Sequence, residues 1–144
     1  ALGYLAGESN QGTNAIAMGQ YAGQSNQGSN AIAMGYNVGN TSQGSNAVAM
    51  GNHAGQSSQG TGAVALGHYA GYLFQGNQAI ALGQGAGYIN QPNNSIVLNA
   101  SGSTLNGSNA SSFYVKPING VAHGIGTGVL HYNSTTFEIT YSTD

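Results

Sequence analysis

The apolar positions of this chain return on a sixteen-residue beat. Near copies of Asn14-Ala15-Ile16-Ala17-Met18-Gly19 follow one another without insertion or loss, so Gly3, Gly19, Gly35, Gly51, Gly67 and Gly83 form one column and Ile16, Ile32, Val48, Val64, Ile80 and Ile96 another. A fixed period without gaps marks a solenoid, in which each repeat is one coil that buries its apolar side only against its neighbours. Numbered from the leading alanine, coils start at Ala1, Ala17, Ala33, Ala49, Ala65 and Ala81, and the pattern begins to fail at Val97. Side chains alternate across a strand, so Ile16 and Met18 point one way while Ala15 and Ala17 point the other.

Both faces of that strand are apolar, as in strands covered on two sides. One face lines the coil; the other calls for a partner. The candidate core and interface residues are Ile16, Met18, Ile32, Met34, Val48, Met50, Val64, Leu66, Ile80 and Leu82 in one pair of rows, and Ala17, Ala33, Ala49, Ala65 and Ala81 in the other. The pattern leaves open which set faces inward, and the alanine row is narrow and flat enough for another chain to approach. Burying an Ile and a Met yields roughly 1.5–3 kcal/mol each, whereas ordering each backbone position costs about 1–2 kcal/mol. A single thin column is therefore expected to associate laterally, most simply with closed cyclic symmetry.

The remainder of each coil is turn chemistry. Gly7, Gly23, Gly39, Gly55, Gly71 and Gly87 recur at a turn position, where glycine serves a positive φ or a close backbone approach. Gln11, Gln27, Gln43, Gln59, Gln75 and Gln91 form an unbroken column, which predicts a structural ladder of amides bonded from rung to rung. The fourth column (Tyr4, Gln20, Tyr36, Asn52, His68, Gln84) and the fifth (Leu5, Tyr21, Asn37, His53, Tyr69, Gly85) vary and carry rings, which suits an exposed face. These are the rows on which sugars would stack if the shaft binds them.

Composition narrows the partners. Twenty-five glycines with only one basic and three acidic side chains would suggest disorder, but the strict register of Ile and Val argues for order. One lysine provides no basic surface for nucleic acid or an anionic membrane. There is no cysteine, hence no disulfide or thiolate site, and no run of eighteen apolar residues. The chain opens inside a coil, so further coils are expected upstream.

The run Asn14 to Gly19, with its copies Asn46-Ala47-Val48-Ala49-Met50-Gly51 and Asn94-Ser95-Ile96-Val97-Leu98-Asn99, resembles the Asn-Ser-Val-Ala-Ile-Gly motif of trimeric autotransporter adhesin heads. The resemblance covers about two-thirds of the chain. It implies a left-handed parallel β-roll with three chains side by side about a long axis. A similar repeat occurs in fibre-like proteins of large viruses and phages, and Tyr114-Val115-Lys116-Pro117-Ile118 and the stretch from Val129 to Tyr141 look like their endings. The sixteen-residue coil with its Gln-Gly turn is longer and more regular than is usual in the adhesin heads.

Three regions follow: a roll of six coils over 1–98, a Ser/Asn/Gly-rich linker or collar over 99–111, and a C-terminal β cap over 112–144. Asn99 replaces the column glycine, and Pro92 a turn glycine, where the roll is expected to end. Ser112 to Ile118 alternates as a strand closed by Pro117 and an Asn119-Gly120 turn; Val129–Asn133 and Phe137–Tyr141 read as a hairpin about Ser134-Thr135-Thr136. The fold class is thus all-β, a parallel β-solenoid with a small hairpin cap over its open end.

Catalytic chemistry is sparse. His53, His68, His123 and His131 are the metal-capable nitrogens, and solvated turn histidines are expected; no metal or cofactor is called for. Glu8 and Glu138 lie in different regions, so general acid–base work has no carrier. Asn-x-Ser/Thr occurs at Asn40, Asn93, Asn99, Asn106, Asn109 and Asn133, candidate N-glycosylation positions if the source secretes through a glycosylating pathway. The expected function is a non-enzymatic fibre or adhesin-like shaft segment. It would be homotrimeric or part of a longer filament, lie outside a cell or on a virion, and take a glycan or cell-surface receptor as a further partner. The alternative is an ice- or surface-binding solenoid, whose candidate row is Thr13, Ser29, Ser45, Thr61, Asn77 and Asn93.

Overall fold

The computed structural model describes residues 1–118 and 129–142, which leaves the expected Asn119-Gly120 turn and His123 outside the described residues. Among the described residues there are two parallel sheets, one antiparallel hairpin and no helix. With strands numbered in chain order, the larger sheet stacks Ile16–Met18 (β2), Ile32–Met34 (β4), Val48–Met50 (β6), Val64–Leu66 (β8), Ile80–Leu82 (β10), Ile96–Asn99 (β11) and Phe113–Lys116 (β12). The smaller stacks Ser9–Gln11 (β1), Ser25–Gln27 (β3), Thr41–Gln43 (β5), Ser57–Gln59 (β7) and Leu73–Gln75 (β9). Pairing from β2 to β11 is strictly i to i+16, as in Ile16 with Ile32 and Ala33 with Ala49. The chain is a β-solenoid of sixteen-residue coils.

Strands of three residues follow from how tightly the coil turns. In the second coil Gly19, Tyr21, Gly23, Asn26 and Asn30 all have positive φ, at 121°, 59°, 52°, 57° and 59°. Asparagine tolerates that region best among non-glycine residues, which explains Asn14, Asn30, Asn46 and Asn94 in one column. The third-position glycines answer a second demand. A Cβ on Gly51 would lie 2.8 Å from the carbonyl oxygen of Gly67, so the backbones of adjacent rungs meet where a side chain would stand.

The inward row is alanine. Ala17, Ala33, Ala49, Ala65, Ala81 and Val97 are fully buried, with Ala22, Val38, Ala54, Ala70 and Ala86 facing them. Of the two arrangements the pattern left open, the alanine row is the enclosed one and cannot offer the contact for another chain. A coil this narrow encloses methyl groups and one amide, and has no room for an Ile and a Met. The amide is the glutamine of each coil, 2% exposed from Gln27 to Gln75. Its Nε2 crosses the interior to a carbonyl of the preceding turn, as in Gln27 to Ile16 at 2.7 Å and Gln59 to Val48 at 2.9 Å. The seventh-position glycines make room for it: a Cβ on Gly23 would stand 2.6 Å from Gln27 Oε1.

The roll does not stop at residue 98. Strand β12 pairs in parallel with β11 at an offset of seventeen, Ile96 with Phe113 and Asn99 with Lys116, and Ala86 bridges Leu105. Residues 99–111 are therefore the arc of a seventh coil, not a free linker. Asn99, where the column glycine is lost, is 4% exposed and donates its amide to the carbonyls of Gln84 and Ser103. Tyr114 falls on the inner row next to Val97, packs on the core with Leu105, and closes its end with a ring. The end of the core is thus filled by β12. The hairpin, Val129–Tyr132 (β13) and Ile139–Ser142 (β14), is a separate two-stranded sheet, whose turn Asn133 holds by accepting the amides of Thr135 and Thr136.

Candidate functional site

With alanine inside, the large apolar side chains lie outside. Ile16, Ile32, Val48, Val64, Ile80, Ile96 and Phe113 form one row on the outer face of the larger sheet, and Met18, Met34, Met50, Leu66, Leu82, Leu98 and Val115 form the other. All are half-buried or exposed; Ile16 is 44%, Met50 41% and Phe113 51% exposed. Seven strands about 4.8 Å apart make the stripe about 29 Å long. Soluble monomers seldom expose an apolar surface so continuous. Within the coil each buried alanine methyl contributes only about 0.8 kcal/mol. Near its C-terminal end the stripe meets a groove of about 770 Å³ lined by Ile96, Phe113, Val115, Ile118, Tyr132, Phe137 and Ile139, among others.

A second feature runs along the corner that follows each strand of the larger sheet. Tyr4, Tyr21, Tyr36, His53, Tyr69, Tyr72 and Tyr88 make a continuous ridge, with successive centroids 5.7, 6.1, 5.3, 5.0, 5.0 and 5.1 Å apart, and His68 lies against Tyr69 at 4.2 Å. Edge contacts dominate, as the ring quadrupole favours. Tyr21, His53 and Tyr69 hold their rings on left-handed backbone, at φ 59°, 56° and 57°, a conformation that costs side-chain-bearing residues roughly 1–2 kcal/mol. Beside the rings runs a ladder of polar groups: Gln24 donates to Glu8 at 2.7 Å, Asn40 to Gln24 at 2.9 Å, and Gln56 Oε1 lies 2.9 Å from His53 Nδ1.

The glutamine column lies inside the coil, and Nε2 of Gln43, Gln59 and Gln75 each reaches Oε1 of the next rung at 3.1 Å. Gln11, at the first coil, is only partly buried and bonds to the carbonyl of Ala15. Of the sequon asparagines, Asn99 is closed to a glycan because its amide is buried and engaged twice, and Asn40 uses its nitrogen on Gln24 and Tyr21. Asn93, Asn106, Asn109 and Asn133 are exposed. The thirteenth column is not an even hydroxyl row: Asn77 and Asn93 turn their Oδ1 onto the amides of Thr61 and Asn77. Among the described residues no three His, Asp or Glu side chains gather as a metal site.

At the end plug, the Tyr114 oxygen lies 3.3 Å from Ser108 Oγ and accepts the amides of Asn109 at 2.9 Å and Ser108 at 3.1 Å. These bonds, the Ser108 side chain first, bring the phenol down to about 8. Sequence reasoning marked the fourth and fifth columns but missed Tyr72 and Tyr88. They occupy the eighth column, whose earlier members Glu8, Gln24, Asn40 and Gln56 read as ordinary turn residues. Comparison with protein-family models, curated proteins and solved structures found no match for this chain.

Proposed function

We propose that this solenoid is a structural segment of a fibre or adhesin-like shaft, self-associating side by side through the outer apolar stripe, with a mechanical rather than a catalytic role. The observation that carries the reading is that stripe, two uninterrupted rows of large apolar side chains with no charged residue among them. A second copy of the chain is the partner that fits. It carries rows with the same rung spacing and the same side chains, so each Ile or Met finds an equivalent side chain at every step. Covering the stripe completes the burial that the alanine interior leaves small. The resemblance to adhesin heads favours three copies, and the same arrangement suits an appendage outside a cell or on a virion.

The test is the mass of the native particle by sedimentation velocity, for the chain and for a Met34→Glu/Met50→Glu variant. A trimer that falls to a folded monomer in the variant is expected. A folded monomer of the unaltered chain at micromolar concentration would sink the proposal, and so would a trimer indifferent to both substitutions.

A further inference from the structure

The aromatic ridge is not needed for the association just described. Four observations make it a surface built to hold something. First, its rings form one unbroken track from Tyr4 to Tyr88, and Tyr4 and Tyr36 are 64% and 45% exposed while the tyrosines between and beyond them are half-buried, so the exposed rings are held still by their neighbours.

Second, Tyr21, His53 and Tyr69 share the left-handed backbone that the whole fifth column adopts, from Leu5 at φ 53° through Asn37 at 54° to Gly85 at 62°, so one corner geometry aims all three rings. Third, the amide and carboxylate ladder of Glu8, Gln24 and Asn40 lies alongside, offering hydrogen bonds next to the ring faces. Fourth, Glu8 is the one charge near the ridge among the described residues, with Lys116 and Glu138 in later segments.

Aromatic faces flanked by amides, with no cation nearby, exclude the single-stranded nucleic acids that also use stacking platforms, since those require a positive groove. The same set matches a pyranose chain, whose C–H faces lie on rings and whose hydroxyls bond to amides. The ridge follows the rungs for five steps of about 4.8 Å, about 24 Å in all, crossing from the fifth to the eighth column between Tyr69 and Tyr72, and an extended β-linked hexose polymer advances by close to one rung per sugar. We propose that the ridge is a binding track for an extended, uncharged β-linked hexopyranose chain lying along the solenoid axis. The inference is independent of the association reading.

The experiment titrates the full chain with cellohexaose, with chitohexaose and with heparin as the anionic comparator, following the imidazole resonances of His53 and His68 by NMR. At least one neutral hexasaccharide is expected to shift both, and heparin neither. Tyr36→Ala/Tyr72→Ala is expected to weaken that binding at least tenfold. Tyr21→Asn/Tyr69→Asn removes two rings while giving the left-handed backbone a residue it accepts, and it too is expected to bind at least tenfold more weakly with the fold retained. Phe74→Asn, which removes an exposed ring from the other sheet, is expected to change affinity less than twofold. Failure of both neutral hexasaccharides to move either resonance at millimolar concentration overturns the proposal. Binding by heparin alone does the same, as does binding that survives in the ring variants.

Discussion

The two faces of the larger sheet are both apolar yet have opposite tasks. Inside, the row from Ala17 to Ala81 does not vary and is fully buried against a second alanine-rich row and the buried glutamines. Outside, one residue away on the same strand, Ile alternates with Val and Met with Leu, and the side chains are half-buried or exposed. The inner face is limited by volume and keeps to alanine until the roll ends at Val97 and Tyr114; the outer face is limited only by being apolar and admits several residue types. What looks like a hydrophobic core in the sequence is the exterior, and what looks like filler is the core.

That contrast can be broken from the inside. Ala49→Glu places a charge and four extra side-chain heavy atoms beyond Cβ in a fully buried space, and is expected to abolish folding, read as loss of the β signal in circular dichroism. Gln59→Leu keeps the volume but removes the bonds to the carbonyl of Val48 and to Gln75, and leaves acceptors buried. It should cost about 1–3 kcal/mol in denaturant unfolding.

From the outside the effect should be smaller. Met50→Gln on the exposed row is expected to change the unfolding free energy of the dissociated chain by no more than about 0.5 kcal/mol, and a loss as large as that of Gln59→Leu would show the outer row to be part of the monomer's core.

The smallest effect lies at the plug. Hydrogen bonds from Ser108 and Asn109 lower the Tyr114 phenol to about 8 from its ordinary value of 10.0, so folding favours the phenolate. The resulting stability is full above pH 10 and is lost as pH falls through about 8. Melting curves of the chain and of Tyr114→Phe should therefore diverge further at pH 10 than at pH 7, and the variant should lack one phenol titrating near pH 8.

The period, the parallel pairing and the glutamine column were legible because sixteen residues recur without a gap and the ladder needs identical groups in register. Which row faces inward was not read, although a signal was present: Ala17 to Ala81 never change size, whereas Ile16 and Val48, or Met50 and Leu66, do. The seventh coil was obscured by a single added residue, which shifts Phe113 to the seventeenth place, and by Asn99, whose side chain performs bonding no glycine can. The hairpin about Ser134 to Thr136 followed from its turn residues, and β12 from its alternation. The aromatic ridge was half visible, because neighbouring columns converge only when the corner is folded and Tyr72 and Tyr88 come beside Tyr69.

The constant offset of sixteen has a consequence for how such a molecule changes length. Every ladder joins a residue to its counterpart in the next coil, so excising 33–48, or duplicating it, rejoins like with like in each ladder at once. The rod is thereby a ruler that a tandem duplication lengthens by one graduation of about 4.8 Å, while an insertion of any other size must be absorbed, as in the last coil, by an improvised arc.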